Sequence, residues 1–251
     1  MSTTKVAFIT GGNRGLGLQT ARDLGQLGIL VVLGSRDAKK GEAAAAELRA
    51  EGINAESIVC DVTSAADQQK AYDYFVEKHD GKLDILINNA GVALESSFTS
   101  EDGPVNQTSH VSAQILRDTF EANFFAPIAL TQKLLPLIKK APAGRIVNLS
   151  SILGSLTLHA DPSSPIYGFK VFTYNASKTA LNAFTVHLAH ELKDTAIKVN
   201  SAHPGWVKTD MGGSNAPMEV SEGGKTSAQL ATLPDDGPTG GFFHMGQPLP
   251  W

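Results

Sequence analysis

Short apolar runs alternate with longer helix-forming stretches along most of the chain. The apolar runs predict strands at Val6–Ile9, Ile29–Leu33, Glu56–Cys60, Leu83–Ile87, Arg145–Leu149, Ile197–Ser201 and Gly240–Met245. The stretches between them predict helices over Gly15–Leu27, Ala38–Ala50, Ala65–Lys78, Asn123–Lys140 and Tyr174–Lys193. Apolar strands that are separated by helices indicate a parallel sheet covered on both faces. The pattern therefore predicts an α/β fold with a doubly wound sheet of about seven strands.

The spacing of these elements is even, and no repeat, low-complexity block or linker interrupts it. We therefore expect one domain over residues 1–251. Three loop-rich segments follow strands, namely Ser96–His110, Leu156–Thr173 and Gly212–Lys225. Ligands of doubly wound sheets bind beyond the carboxyl ends of the strands, so these segments are expected to shape a substrate pocket. The glycine-rich segment Gly212–Lys225 is also a candidate lid.

Composition narrows the function classes. The formal net charge is -4 and no basic stripe is present, so nucleic acid is not an expected partner. No apolar run approaches the roughly 18 residues of a membrane span, and no secretory leader pattern is recognised at the start. The single cysteine, Cys60, excludes an intramolecular disulfide. We expect a cytoplasmic protein.

A glycine-rich loop joins the first predicted strand to the first predicted helix. Residues Thr10–Gly17 read TGGNRGLG. Glycines at this junction allow a tight turn, close backbone approach to a pyrophosphate and close helix–strand packing, while the helix N-terminus attracts phosphate. The fold is therefore expected to be a Rossmann-type dinucleotide-binding domain. The predicted contacts from the loop are Gly11, Asn13, Arg14, Gly15, Leu16 and Gly17.

Arg36 at the end of the second predicted strand favours NADP(H) over NAD(H). An NAD enzyme usually places an acid there to bind the ribose 2′-OH, whereas arginine can bind a 2′-phosphate through two hydrogen bonds. Arg14 in the glycine loop is expected to be a second cation for the same phosphate. Two solvated surface arginines would be the alternative.

Three further strand ends carry residues that suit a dinucleotide. Asp61 and Val62 follow the third strand and are candidates for the adenine. After the fourth strand, Asn89, Ala90 and Gly91 allow close approach of a ribose. The loop after the sixth strand is expected to hold the nicotinamide carboxamide through Pro204, Gly205, Val207 and Thr209.

Tyr174 and Lys178 are the candidate catalytic pair. The two residues are four positions apart on a predicted helix, so both side chains lie on one face of it. A neighbouring ammonium stabilises a phenolate, so the tyrosine can exchange a proton with a carbonyl oxygen while hydride moves to carbon. Ser151, after the fifth strand, can donate a hydrogen bond to that oxygen.

Taken together, these motifs resemble the short-chain dehydrogenase/reductase family, and in particular its NADPH-dependent carbonyl reductases. The resemblance implies that Tyr174 is the acid/base, Ser151 the carbonyl-positioning residue and Lys178 both the assistant of Tyr174 and a ribose ligand. It also implies that Asn123 distorts its helix so that a carbonyl binds a water of a proton relay. The expected partner is a small-molecule ketone or aldehyde.

One departure concerns the 23 positions between Ser151 and Tyr174, about ten more than in the plain family pattern. The extra length falls in Leu156–Thr173, and whether the protein is a monomer or a homo-oligomer stays open. Two other functions also remain open: oxidation of a steroid-like or sugar-like alcohol, and a non-catalytic nucleotide-binding regulator. Tyr167 and Lys170 have the wrong spacing for the acid, and His187 and His190 are expected on an ordinary helix face.

Overall fold

The sheet has eight strands in a computed structural model that describes residues 4–95 and 108–251. The strands are β1 (Val6–Thr10), β2 (Leu30–Ser35), β3 (Ala55–Val59), β4 (Ile85–Asn88), β5 (Arg145–Leu149), β6 (Lys198–Ala202), β7 (Phe242–His244) and β8 (Gln247–Pro248). Their order is β3-β2-β1-β4-β5-β6-β7-β8. All neighbours pair in parallel except β7 and β8. The doubly wound α/β prediction is confirmed, with a short antiparallel strand added at one edge.

The central strands are apolar at consecutive positions because both faces of the sheet are covered. Phe8 and Leu86 point into one core layer, and their neighbours Ile9 and Ile87 point into the other. Successive strand residues face opposite sides, so a strand covered on both sides must be apolar throughout. All four side chains are fully buried. The continuous runs that predicted the strands therefore arise from this double burial.

The helices cover the two faces, and most lie where the sequence predicts them. They are α1 (Gly15–Gln26), α2 (Ala38–Ala50), α3 (Ala65–Lys78), α4 (Ala113–Phe120), α5 (Ala126–Ile138), α6 (Leu156–Ala160), α7 (Phe172–Glu191), α8 (Val220–Gly223) and α9 (Lys225–Ala231). Within the described residues, no helix is both long and apolar enough to cross a membrane.

Three element predictions need correction, and a fourth stays a prediction over most of its length. The helix predicted over Asn123–Lys140 begins earlier, as α4, and continues through a π-helical turn at Glu121–Phe125 into α5. Two predicted loops, Leu156–Thr173 and Gly212–Lys225, contain the short helices α6 and α8. Of the segment Ser96–His110, residues 96–107 lie outside the described residues, and Thr108–His110 forms a single 3₁₀ turn.

Candidate functional site

The glycine loop between β1 and α1 has a backbone that other residues would strain or block. Gly11 and Gly15 have φ angles of 62° and 52°, in the left-handed region that favours glycine. A Cβ atom on Gly17 would lie 2.5 Å from the Gly11 carbonyl oxygen and 2.6 Å from Asn89 Nδ2. The loop therefore keeps a concave backbone surface open at the N-terminus of α1, as a pyrophosphate requires.

The loop after β4 is fastened directly to this glycine loop. Thr10 Oγ1 accepts hydrogen bonds from the backbone N–H groups of Asn89 and Ala90, each at 3.0 Å. Asn89 Nδ2 donates to the Thr10 carbonyl at 2.7 Å. These bonds join the carboxyl ends of neighbouring strands β1 and β4, so the two loops form one rigid wall.

A cleft of about 580 Å³ opens at this edge of the sheet and contains the predicted cofactor residues. Those lining it are Gly11, Asn13, Arg14, Gly15, Leu16, Gly17, Arg36, Asp61, Val62, Asn89, Ala90, Gly91, Tyr174, Lys178, Pro204, Gly205, Val207 and Thr209. Ser151 also lines the cleft. The cleft is elongated: its lining residues run from the end of β3 to the end of β6. The glycine loop Thr10–Gly17, which forms the glycine cradle, lies between these two ends. A dinucleotide fits this arrangement.

The two arginines of the cleft have different surroundings. Arg14 forms an ion pair with Asp210, and both side chains are exposed. This pair joins the glycine loop to the loop after β6. Arg36 is exposed directly after β2. Their shared contact with a 2′-phosphate stays a prediction.

Tyr174 and Lys178 lie on α7 with their side chains buried against the end of β5. Lys178 Nζ donates to the Leu149 carbonyl at 2.8 Å and lies 5.7 Å from the centre of the Tyr174 ring. The side chains of Tyr174 and Ser151 are hydrogen-bonded. Ser151 Oγ also accepts a hydrogen bond from Leu153 N at 3.2 Å. Because this bond uses only a lone pair, the Ser151 O–H is available to donate to Tyr174 or to a substrate oxygen.

Burial controls the protonation of this pair. Burial raises the pKa of the Tyr174 phenol to about 12, and the Ser151 hydrogen bond opposes that rise. Burial also lowers the pKa of the Lys178 ammonium to about 8. The phenol is therefore a proton donor at neutral pH, beside an ammonium that is close to titration.

Asn123 lies behind α7 rather than in the cleft wall. It is fully buried in the π-helical turn. Its side chain pairs with the backbone of Val92 in both directions, accepting from Val92 N and donating to Val92 O at 2.8 Å each. It also donates to Ser177 Oγ at 3.0 Å. The helix distortion expected from the resemblance is present, whereas the proton relay stays a prediction.

Apolar side chains form the part of the cleft beside Ser151 and Tyr174. They are Ile152, Leu153, Ile166, Phe169, Trp206 and Met211. Asn175, directly after Tyr174, fixes this wall by donating to the Phe169 carbonyl at 2.8 Å. Tyr167 is instead half-exposed beneath the Lys170 ammonium, which lies 4.5 Å from its ring centre. The loop Leu156–Thr173 therefore contributes hydrophobic contacts to the site.

Two described residues near Ser151 and Tyr174 were not identified from the sequence. His203 lines the cleft directly after β6, and Glu95 contacts the first turn of α7. Neither residue forms a recognisable motif with its sequence neighbours, because each accepts a hydrogen bond from a residue at least 51 positions away. The other candidates are ordinary: burial raises the pKa of the Cys60 thiol to about 12, and no metal-binding cluster occurs among the described residues.

Comparison with known proteins gives consistent matches over the whole chain. The model of the short chain dehydrogenase family matches residues 5–220. Carbonyl reductase [NADPH] 1 of Sus scrofa is 32% identical over 100% of this chain and 95% of its own. The Homo sapiens protein of the same name is 33% identical, over 98% of each chain. The crystal structure of NADPH-bound carbonyl reductase from chicken fatty liver superimposes with a TM-score of 0.83 and 28% identity, covering 100% of both chains.

Proposed function

Because the chain belongs to the short-chain dehydrogenase family, we propose that it reduces a ketone or aldehyde to an alcohol with NADPH. The observation that carries this proposal is the buried Tyr174 phenol, hydrogen-bonded to Ser151 and four residues before Lys178, in the cleft that holds the glycine cradle. Relatives whose names contain carbonyl reductase [NADPH] support the same reaction class and cofactor.

The cofactor would lie along the carboxyl ends of the strands. The glycine loop and the α1 N-terminus would hold the pyrophosphate, Arg36 the 2′-phosphate, and Asp61 and Val62 the adenine. Asn89, Ala90, Gly91 and Lys178 would contact the nicotinamide ribose, and Pro204, Gly205, Val207 and Thr209 the carboxamide. When bound, NADPH supplies the hydride that reaches the carbonyl carbon.

The protein's own residues would orient the carbonyl and supply the proton. Ser151 would donate a hydrogen bond to the carbonyl oxygen and stabilise negative charge there. Tyr174 would transfer its phenolic proton to that oxygen, and the Lys178 ammonium would stabilise the resulting phenolate. Asn123 would hold the π-helical turn for the proton relay.

Reduction suits the protonation of the site better than oxidation does. Oxidation of an alcohol needs a phenolate base, and burial raises the pKa of Tyr174 to about 12. Reduction needs the protonated phenol, which is the form present at neutral pH. A regulator without catalytic activity would have no use for Ser151, Tyr174 and Lys178 together.

The decisive experiment is a cofactor-oxidation assay over aldehydes, ketones, quinones and ketoesters, with NADPH and NADH in parallel. We expect turnover with at least one carbonyl class and a preference for NADPH. Tyr174→Phe should reduce kcat by about 100-fold or more, because proton donation is lost while packing is retained. NADPH affinity, measured by fluorescence titration, should be nearly unchanged.

Tyr167→Phe is the matched control, since it removes the hydroxyl of the half-exposed tyrosine in the preceding loop. It should keep wild-type turnover. Full activity of Tyr174→Phe would mean that a group other than Tyr174 is the proton donor. If the wild-type protein turned over no carbonyl, the nucleotide-binding regulator would be favoured. A preference for NADH would contradict the role given to Arg36.

A further inference from the structure

His203 lies where two loops of the site meet. It follows β6 directly and precedes the Pro204–Thr209 loop, and it is 9% exposed in the wall of the cleft. Its Nδ1 atom accepts a hydrogen bond from the backbone N–H of Ile152 at 3.2 Å, and a longer one from Gly205 N at 3.4 Å. The residue next to the candidate catalytic serine is therefore attached to the start of the candidate nicotinamide loop.

The Ile152 bond completes the cap of a short turn that begins at Ser151. Residues Ile152–Gly154 form a 3₁₀ turn whose N-cap is Ser151. Ser151 Oγ accepts from Leu153 N, but it leaves the Ile152 N–H without a partner inside the turn. The His203 imidazole supplies that partner. Because a buried N–H without an acceptor is costly, the position of the turn depends on this ring.

The ring is held in the form and orientation that this contact requires. Burial, with His244 next to it, lowers the pKa of His203 to about 3, so the ring is neutral at neutral pH. The contact with Ile152 N requires the Nε2–H tautomer, in which Nδ1 is the acceptor. His244 Nδ1 donates to the His203 carbonyl at 2.9 Å, and the two ring centres are 4.9 Å apart. His203 N also donates to the Phe243 carbonyl at 2.8 Å. Strand β7 therefore supports the backbone from which the ring projects.

We infer that His203 is a positioning residue for Ser151, acting through the Nδ1 contact with Ile152 N, and this inference rests on the proposed carbonyl reduction. Ser151 Oγ must present its O–H to the carbonyl oxygen while it accepts from Leu153 N. A turn displaced by an unpartnered Ile152 N–H moves Oγ away from that position. The chemical step then slows, while the glycine cradle on the other side of the cleft is unaffected.

The test compares three substitutions at this position. In His203→Asn, the amide oxygen occupies the place of Nδ1, whereas in His203→Gln the oxygen lies one bond further out, and His203→Leu removes the acceptor. We expect His203→Asn to keep most of the kcat. His203→Gln and His203→Leu should lose about tenfold in kcat, as expected for one lost buried acceptor. The NADPH dissociation constant should change by less than about twofold, because the bond from Gly205 N is the longer one and the glycine cradle does not depend on His203.

Two measurements do not depend on turnover. Hydrogen exchange of the Ile152 amide should accelerate in His203→Gln and His203→Leu and stay near wild type in His203→Asn. In the wild-type protein, ¹⁵N NMR of His203 should show the Nε2–H tautomer, in which Nδ1 is the acceptor. An Nδ1–H tautomer would overturn the inference, as would equal kcat and equal exchange in all three variants. Absent carbonyl turnover in the wild type would overturn the proposed function alone.

Discussion

At the scale of single residues, burial keeps the Tyr174 phenol protonated and brings the Lys178 ammonium close to titration at neutral pH. Burial disfavours both charged forms, so it raises the pKa of the phenol and lowers that of the ammonium. The sequence indicates the pair through its spacing, and it indicates Ser151 through its place after a strand. The pKa shifts could not be predicted in the same way, because they depend on what covers α7 in three dimensions.

The Lys178 pKa of about 8 leads to a pH dependence with a definite sign. Below this value the ammonium is present and stabilises the phenolate that forms as Tyr174 gives up its proton. Above it the charge is lost, so kcat/KM for carbonyl reduction at saturating NADPH should fall, by up to about tenfold per pH unit. Steady-state rates between pH 6 and 10, with NADPH affinity measured at each pH, check this.

Lys178→Met should be much less active at neutral pH and should lack the alkaline fall, because no ammonium remains to titrate. Lys170→Met is the matched control, since it removes another lysine ammonium near the site without touching the buried pair. It should keep the wild-type profile. If kcat/KM of Lys178→Met fell in the same way at high pH, the titrating group would be one other than Lys178.

At the scale of elements, the start of α7 needs an acceptor that its own sequence does not supply. The N-cap residue Val171 has no side-chain hydrogen bond to the helix. Glu95, which is 5% exposed, instead accepts from Tyr174 N at 3.0 Å. The carboxylate accepts from a backbone N–H of the first turn, where negative charge is also favourable. The local sequence predicted this helix but not the residue that caps it.

Glu95→Ala should therefore lower the free energy of unfolding by about 0.5–2 kcal/mol, the usual range for a lost helix cap. It should also lower kcat, because the affected N–H belongs to Tyr174. Glu95→Gln retains an acceptor oxygen and should behave nearly as wild type. Urea unfolding and steady-state kinetics on the same samples measure both effects.

Ser64→Ala is the matched control for this cap. Ser64 caps α3 by accepting from Asp67 N at 3.2 Å. It follows the cleft residue Thr63 at the β3 end of the cleft, four strands away from β5 and Ser151. It should show a comparable loss of stability with unchanged kcat. An unchanged kcat in Glu95→Ala would mean that the cap stabilises α7 without influencing the reaction.

The elements that local sequence patterns predict wrongly or miss are those determined by tertiary contacts. The π-helical turn at Glu121–Phe125 has no signal in local hydrophobic periodicity, because it depends on the pairing of Asn123 with the Val92 backbone. Strand β8 has two residues and exists only by pairing with β7. In contrast, β1 and β4 could be predicted because their double burial imposes an apolar residue at every position except the last.

At the scale of the whole molecule, the chain should behave as one cooperative unit. One core layer combines Val6 with Val199, and the other combines Ala7 with Ala231. Because each layer draws on both ends of the chain, neither half can unfold while the other keeps its buried surface. The cleft is formed by loops from the same sheet, so cofactor binding should stabilise the entire unit.

Calorimetric unfolding should accordingly show a single transition with equal calorimetric and van't Hoff enthalpies. NADPH at 100 times its dissociation constant should add about 2.7 kcal/mol to the free energy of unfolding, which raises Tm by roughly 5–10 °C for a domain of this size.

Arg36→Ala should leave the unliganded Tm unchanged, since the side chain is exposed, and should reduce the rise in Tm that NADPH causes at the same concentration. Lys39→Ala, an exposed cation three residues further on, should retain the full shift. Two resolved transitions would divide the chain into separate domains, and an undiminished shift in Arg36→Ala would remove that residue from the cofactor site.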